Sequence, residues 1–457
     1  MSADARPDLD SLINRSRTSR YQTLIITVCV AVMVLDGFDT QSISFAAPAV
    51  AAAWHVSPSG FGFVFGIGLF GGLIGAISSG VVADRIGRKP TLVLSVLLFG
   101  AASLTTPLAD SMTSLSVIRF ITGLGVGGAL PGAIAIAAEY APQRARATVA
   151  AITFCGIPLG SVLGSVLASH LIPRHGWGSI FVVGGVIPLL LVPLIIAFVP
   201  ESIRFLALRQ DDAAIAKLLA RMGIDDEHAA QVRTKAADVP QRTPVWSLFT
   251  EGRALGTTLL SVALFLTLLM AFFLVNWLPT LATRAGIGTS AAILAVASLN
   301  IGGILGSLMI SRLSRHWAPG VMISLFYALG AVGIAFVGQT GTSGAWLLST
   351  TFVAGFFAIG AQMCTVSLLA TYYDTTLRAT GVGWAMGCGR VGGIIGPTVG
   401  GWMVAASMTM GTMFVMAGLV CAACSAIVLA LGRFVLQQAA DLPAETSPIA
   451  ADPTPAG

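Results

Sequence analysis

Four charged side chains stand inside stretches that are otherwise apolar: Asp36, Asp39, Arg119 and Arg390. The two aspartates lie in LDGFDTQSISFAAPAV, residues 35–50. They are three positions apart, so a helix places them on one face. An ionised carboxylate at membrane depth costs about 2.5–3.5 kcal/mol. That cost demands a wetted cavity, a counter-charge or a proton. Two carboxylates this close cannot both ionise easily in a low dielectric, which suits the pair to taking up and releasing a proton. An arginine keeps its charge, and its fork grips a carboxylate in a bidentate way. The two acids and two bases sum to zero. Arg119 is therefore the candidate partner of the aspartates, and Arg390 a second membrane cation able to hold an anionic group. The blander reading of both arginines is an internal salt bridge that only holds helices together.

The elements that must position these groups follow from composition. Of 457 residues, 55% are apolar and 10% charged, the mean hydropathy is +0.87, and 52 residues are glycine. Soluble proteins carry about 25% charged residues. The numbers exclude a disordered chain, a disulfide scaffold and an ordinary cytosolic enzyme, and they fit a polytopic membrane protein. A crossing helix needs about 20 apolar residues. Twelve such runs are marked, at 21–49, 58–82, 90–108, 112–139, 147–171, 179–199, 254–281, 289–312, 319–338, 343–369, 379–405 and 409–433. The expected fold is an all-α membrane protein of twelve transmembrane helices. Its divisions are an N-terminal arm (1–20), a six-helix bundle (21–199), a central loop (200–253), a second six-helix bundle (254–433) and a disordered tail (434–457). Within the central loop, AAIAKLLARM at 213–222 reads as an amphipathic brace between the halves.

The Lys/Arg distribution orients the chain. With both termini cytoplasmic, cytoplasmic segments collect 21 of the 25 basic residues, and the outer loops keep Arg174 and Arg284. That is a strong positive-inside bias, and it accounts for the net charge of +5 without invoking nucleic acid. Trp54, Trp177, Trp277, Trp346 and Trp402 fall near outer helix ends, as interfacial anchors do. The N-terminus does not read as a cleavable signal, because the apolar stretch after residue 20 exceeds an h-region of about 7–15 residues. At about 1.5 Å per residue, Asp36 and Asp39 lie roughly 22–27 Å from the inner start of the first helix. Arg119 lies about 10 Å below the outer start of the fourth, a similar depth, and Arg390 lies near the midplane of the eleventh.

The halves repeat. AAEYAPQRARAT ends at Thr148 and LATYYDTTLRAT at Thr380, so Tyr140 matches Tyr372 and Arg146 matches Arg378. At the same offset Gly160 and Gly164 fall on Gly392 and Gly396, and Gly71-Gly72-x-x-Gly75 recurs as Gly302-Gly303-x-x-Gly306. Two parallel six-helix repeats imply a central cavity between halves that rock against each other.

The segment GVVADRIGRK, residues 80–89, resembles the loop 2–3 signature of the major facilitator superfamily. Gly80, Asp84, Arg85, Gly87, Arg88 and Lys89 occupy every specified position. In the second half the counterpart SRLSRHW is degenerate, with Arg315 where Asp84 would fall, so a gate built on that aspartate is asymmetric. Arg119 with Gly123 and Gly125, and Pro200-Glu201-Ser202, resemble further elements of the superfamily. DGFD at 36–39 resembles the D-G-x-D signature of its aromatic acid:proton symporter branch. FLVNWLPTL (273–281), GAQMCTVSLLATYY (360–373) and RATGVGWAMGCGRVGGIIGPTVGG (378–401) are similar to the same branch.

The resemblance implies a proton-coupled importer of a small aromatic carboxylate of the benzoate and hydroxybenzoate class, working by alternating access. It implies a bacterial-type inner membrane, a setting in aromatic catabolism and a functional monomer in lipid. Asp36, Asp39 and Arg119 are assigned to proton coupling. Arg390 is assigned to the substrate, with Phe38, Phe272, Phe273, Asn276, Asn300, Gln362 and Trp384 as candidate walls; for each of the aromatics a lipid-facing or packing role is at least an equal alternative. Gly80, Asp84, Arg85, Gly87, Arg88 and Lys89, with Glu139 and Arg144, are assigned to the gate. No cofactor or metal is expected, the driving force being a proton gradient. Nor is an enzyme expected, since no P-loop, GxSxG or HExxH is present. Cys421-x-x-Cys424 lies in an apolar run and reads as packing. The alternative is a facilitator that exports, or symports, another organic acid or a drug-like compound.

Overall fold

The structure, a computed structural model, describes residues 19–222, 244–250, 252–373 and 376–440. The expectations for the arm before residue 19, for 223–243 of the central loop and for the tail from 441 lie outside the described residues. In the first half the helices are α1 (Arg20–Trp54), α2 (Phe61–Ile86), α3 (Arg88–Thr105), α4 (Met112–Glu139), α5 (Arg146–His175) and α6 (Gly178–Phe198). Two short helices follow, α7 (Ile203–Leu208) and α8 (Asp212–Arg221). The second half holds α9 (Ala254–Arg284), α10 (Thr289–Leu313), α11 (Pro319–Val337), α12 (Gly344–Ala354), α13 (Gly360–Tyr372), α14 (Arg378–Ala405) and α15 (Met410–Ala440). A π-helical turn, Gly355–Ile359, joins α12 to α13 into one span. No strand occurs among the described residues.

Helices are what such a sequence must form, because a backbone in lipid has no water to satisfy its polar groups. Eleven of the spans are long and apolar enough to cross a membrane, α12 and α13 counting as one. The helix α14 is the twelfth long helix of the bundle. It has 28 residues, but nine glycines and Arg390 make it less apolar than the others. Exposed Phe63, Ile77, Leu190, Leu308 and Leu419 on four different helices give the bundle the apolar exterior that lipid requires. Local capping sets several helix starts. Ser19 and Gln22 form a capping box at α1, and Ser202, Asp211 and Ser343 cap α7, α8 and α12. The helix α15 runs to Ala440 and not to 433, which suits the strong helix formers in VLQQAA.

The repeat seen in the sequence is repeated in the packing. Gly71 and Gly75 of α2 lie against the backbone of Phe120 and Leu124 on α4, while Gly302 and Gly306 of α10 lie against that of Phe352 and Phe356. Gly160 meets Val34 of α1, and Gly392 meets Phe265 of α9. Arg146 Nε donates to the Ala141 carbonyl and Arg378 Nε to the Tyr373 carbonyl, both at 3.4 Å.

Among the described residues the halves pack together toward one end. Here α5 packs on α10, α2 on α14 and α1 on α9. Ser290 Oγ donates to the Ser169 carbonyl at 2.9 Å, Gly62 and Gly401 bring the backbones of α2 and α14 into contact, and Phe65 stacks edge-on to Trp277 at 5.7 Å. The deepest such contact is Asn300 Nδ2 to Ser161 Oγ, 3.2 Å, midway along the helices. All of these lie at or beyond mid-helix, away from the end where α1 begins. The apolar core follows the same division. One buried cluster runs through both halves at the joined end, and at the other end each half has its own, around Phe99 and Ile136 in the first and Leu260 and Leu369 in the second.

Two expectations are corrected. Ile215, Leu218 and Leu219 of α8 join the core of the first half, so this helix does not bridge the halves. Trp277 is fully buried and donates Nε1 to the Pro397 carbonyl at 2.8 Å, so it seals the joined end instead of anchoring at a lipid interface.

Candidate functional site

The first helix carries the two aspartates into the interior because Gly37 lets α1 approach the backbone of Ile157 on α5 with no side chain between them. Both carboxylates are buried. Their surroundings differ. Asp39 Oδ2 lies 3.6 Å from Arg119 Nη1 of α4, and Asp39 Oδ1 accepts a 2.6 Å hydrogen bond from Ser103 Oγ of α3. Arg119 is held in turn by Thr106, to which Nη2 donates at 2.6 Å, and it sits over the Phe181 ring of α6 at 4.9 Å. Asp36 has Thr40 Oγ1 at 3.3 Å from Oδ1, while its Oδ2 is buried with no hydrogen-bond partner. The Nε of Arg119 is likewise buried and unpartnered. Arg390, half-buried on α14, is the cation whose field reaches Asp36, with no ion-pair contact formed between them. The first half thus holds a closed acid–base pair. A second, open pair straddles the halves.

A cavity of about 70 Å³ lies against Asp39 and Arg119, walled also by Thr40, Phe65, Thr122 and Asn276. Cavities that take benzene are on the order of 150 Å³. This one suits water-sized molecules, so an aromatic ring needs the gap between the halves as well.

The other candidates divide. Asn276 faces the Asp39 cavity, its Nδ2 bonded to the Phe272 carbonyl at 2.8 Å. Asn300 bridges to Ser161 across the halves. Phe272 is half-buried against Gly393 of α14, and Gln362 is half-buried on α13. Phe38 wedges between Gly164 of α5 and Gly184 of α6, the placement of a packing residue. Phe273 packs edge-on to Phe414 of α15 at 6.3 Å. Trp384 is exposed and packs edge-on to Phe249 near the unjoined end.

At that end the loop between α2 and α3 is built around one carboxylate. Glu201 Oε1 accepts from the backbone N–H groups of Arg88 and Lys89 at 2.8 and 3.1 Å, at the N-terminus of α3, where the helix dipole favours an anion. Gly87 turns the chain with φ +103°, and a side chain there would collide with Glu201. Arg88 pairs with Glu139 of α4, whose other oxygen accepts from Ser202 Oγ at 2.6 Å. Lys89 Nζ donates to the Ile196 carbonyl at 2.7 Å. By contrast, Asp84, Arg85 and Arg144 are exposed, and Gly80 has open space beside it.

Residues 29–390 match the model of the Major Facilitator Superfamily. The chain belongs to that superfamily. As a member it is a multi-pass membrane transporter and not an enzyme. A gallate transporter of Pseudomonas putida is 35% identical over 97% of this chain and 99% of its own length. The 4-hydroxybenzoate transporter PcaK of Acinetobacter baylyi is 36% identical over 86% of this chain and 87% of its own. The 3-(3-hydroxy-phenyl)propionate transporter of Escherichia coli is 34% identical over 93% and 98%. Among solved structures, a bacterial homolog of the lysosomal transporter Spinster superposes with a TM-score of 0.70 at 16% identity, covering 92% of this chain and 99% of that one. The E. coli xylose transporter XylE does so at 0.69 and 18%, covering 89% and 95%. Both share the fold of this transporter.

Ser103, Thr106 and Phe181 surround the acid–base pair without having been singled out from the sequence. A serine or threonine in an apolar run carries no mark that separates it from the many that bond their own helix backbone, as Ser42 and Thr122 do here.

Proposed function

We propose that this transporter carries small aromatic carboxylates of the benzoate and hydroxybenzoate class into the cell, each with at least one proton, by alternating access between its two halves. The observation that carries the reading is a buried carboxylate pair of unequal pairing. Asp39 is closed onto Arg119, and Asp36 keeps a buried oxygen without a hydrogen-bond partner. A buried carboxylate without a partner is costly when ionised. Proton uptake on this pair, together with pairing of the solute carboxylate to Arg390, keeps the loaded site neutral as the halves swing. The aromatic acids named for the relatives support the substrate class. The surplus of Lys and Arg on one side supports cytoplasmic termini in a bacterial inner membrane. In that orientation the unjoined end faces the cytoplasm. Exposed Asp84 and Arg85 would then be gate residues released from the opposite half.

The test is uptake of labelled 4-hydroxybenzoate into energised right-side-out vesicles. Accumulation is expected to collapse on adding a protonophore, and Asp36→Asn and Asp39→Asn are each expected to lose concentrative uptake. Full accumulation with the protonophore present removes proton coupling. Full accumulation by either variant removes that aspartate from it.

A further inference from the structure

Among the described residues Ser103 is the one hydroxyl on Asp39, and it has two acceptors for a single hydrogen. Its Oγ lies 2.6 Å from Asp39 Oδ1 on α1 and 3.3 Å from the Phe181 carbonyl on α6. The serine is fully buried, so water does not compete for it. Phe181 lies inside α6, where its carbonyl serves the helix ladder, and a carbonyl oxygen has a second lone pair to offer. We propose that Ser103 is a positioning residue for the proton step: a two-way hydroxyl that satisfies Asp39 both as carboxylate and as acid.

With Asp39 ionised, the serine hydrogen points to Oδ1. When a proton binds Oδ1, the new O–H donates to Ser103 Oγ and the serine hydrogen turns to the Phe181 carbonyl. No proton leaves the serine, and neither Asp39 Oδ1 nor Ser103 Oγ is orphaned in either state. Neutral Asp39 no longer balances Arg119. That arginine stays tethered to Thr106 and is free to meet an incoming carboxylate. The charged groups that bear on this step are Asp36 on α1, Arg119 on α4, and Arg390 on α14, which acts on Asp36. Phe181 and Ser103 are neutral, and α9 contributes neutral Asn276 at the adjoining cavity.

The inference rests on the proton-coupled reading above, and the experiment separates the two. Wild type, Ser103→Ala and Ser103→Cys are reconstituted in liposomes, and uptake of labelled 4-hydroxybenzoate is followed against external pH under an imposed gradient, with counterflow as the measure of folded carrier. Alanine removes a charge-assisted donor from the ionised form and only a neutral acceptor from the acid, so the ionised form loses more, and a thiol donates weakly. The pH at which uptake falls to half is expected to move upward, by about one unit in Ser103→Ala and less in Ser103→Cys. If alanine does not yield folded carrier, the cysteine variant carries the test. A coupled wild type with an unmoved midpoint in the folded variants, whatever their maximal rate, overturns the role of Ser103 alone. A wild type that ignores the proton gradient overturns the reading beneath it as well.

Discussion

Arg119 and Arg390 look alike in the sequence, each a lone arginine in an apolar run, yet their surroundings differ. Arg119 is occupied by Asp39, Thr106 and the Phe181 ring. Arg390 is half-buried beside the gap and senses Asp36 without touching it. A cation poised near a partner it does not contact is the better anchor for an anion that comes and goes. Arg390→Lys keeps the charge and loses the fork. Its KM in counterflow is expected to rise about tenfold, the equivalent of one charge-assisted hydrogen bond, with unchanged expression. An unchanged KM would remove Arg390 from substrate binding. The acids and arginines were legible in the sequence because a charge at membrane depth is costly and therefore conspicuous. Ser103 and Thr106 were not, because hydroxyls at the same depth are common and usually bond their own helix. Trp277 was misread for a related reason. Its position near a helix end marks depth, and only the packing of α2 and α14 shows which way the ring turns.

Existence and approximate limits of the spans were readable because the bilayer imposes one length on all of them. Interruptions inside a span were not. The π turn at Gly355–Ile359 carries Phe356 and Phe357 into an aromatic cluster with Phe326 of α11, and nothing in GFFAI distinguishes it from plain helix. The α2–α3 turn is the opposite case, where a motif residue has one physical reason to be what it is. Gly87 combines a φ open to glycine with a backbone that sits directly on the Glu201 carboxylate. Gly87→Ala is expected to cost about 1–3 kcal/mol from the backbone alone. It would also push Glu201 off the N-terminus of α3. The thermal midpoint of the detergent-solubilised protein should fall, and Glu201→Gln, which keeps the shape and weakens the acceptor, should lower it less. A Gly87→Ala protein with wild-type melting would show that the turn relaxes freely and that Glu201 does not organise it.

A carrier with two halves must part at each end in turn, and here the joined end is held by uncharged contacts. Gly62 against Gly401, Thr398 Oγ1 to the Gly62 carbonyl at 3.5 Å, and Ser290 to Ser169 are contacts that separate without stranding a charge. The opposite end carries the charges, and within the first half Glu139 and Glu201 gather Arg88 and the N-terminus of α3, so that half travels as a unit with these ions satisfied. Rocking then exchanges weak contacts for weak contacts, which keeps two conformations close in free energy, as a solute-driven switch requires. If this is the moving seam, a covalent bond across it must stop transport. Ser169→Cys with Ser290→Cys, made in a background where exposed Cys155 is replaced by serine, places two thiols across α5 and α10. Oxidation is expected to abolish uptake and counterflow together, and reduction to restore both. Each single variant should be indifferent to oxidant. In the oxidised protein, a cysteine in place of Gly80 at the unjoined end should still react with a water-soluble maleimide, because that end is held open. Normal turnover by the cross-linked double variant would mean that the halves do not part at α5 and α10, and the exchange of joined ends would have to run along another seam.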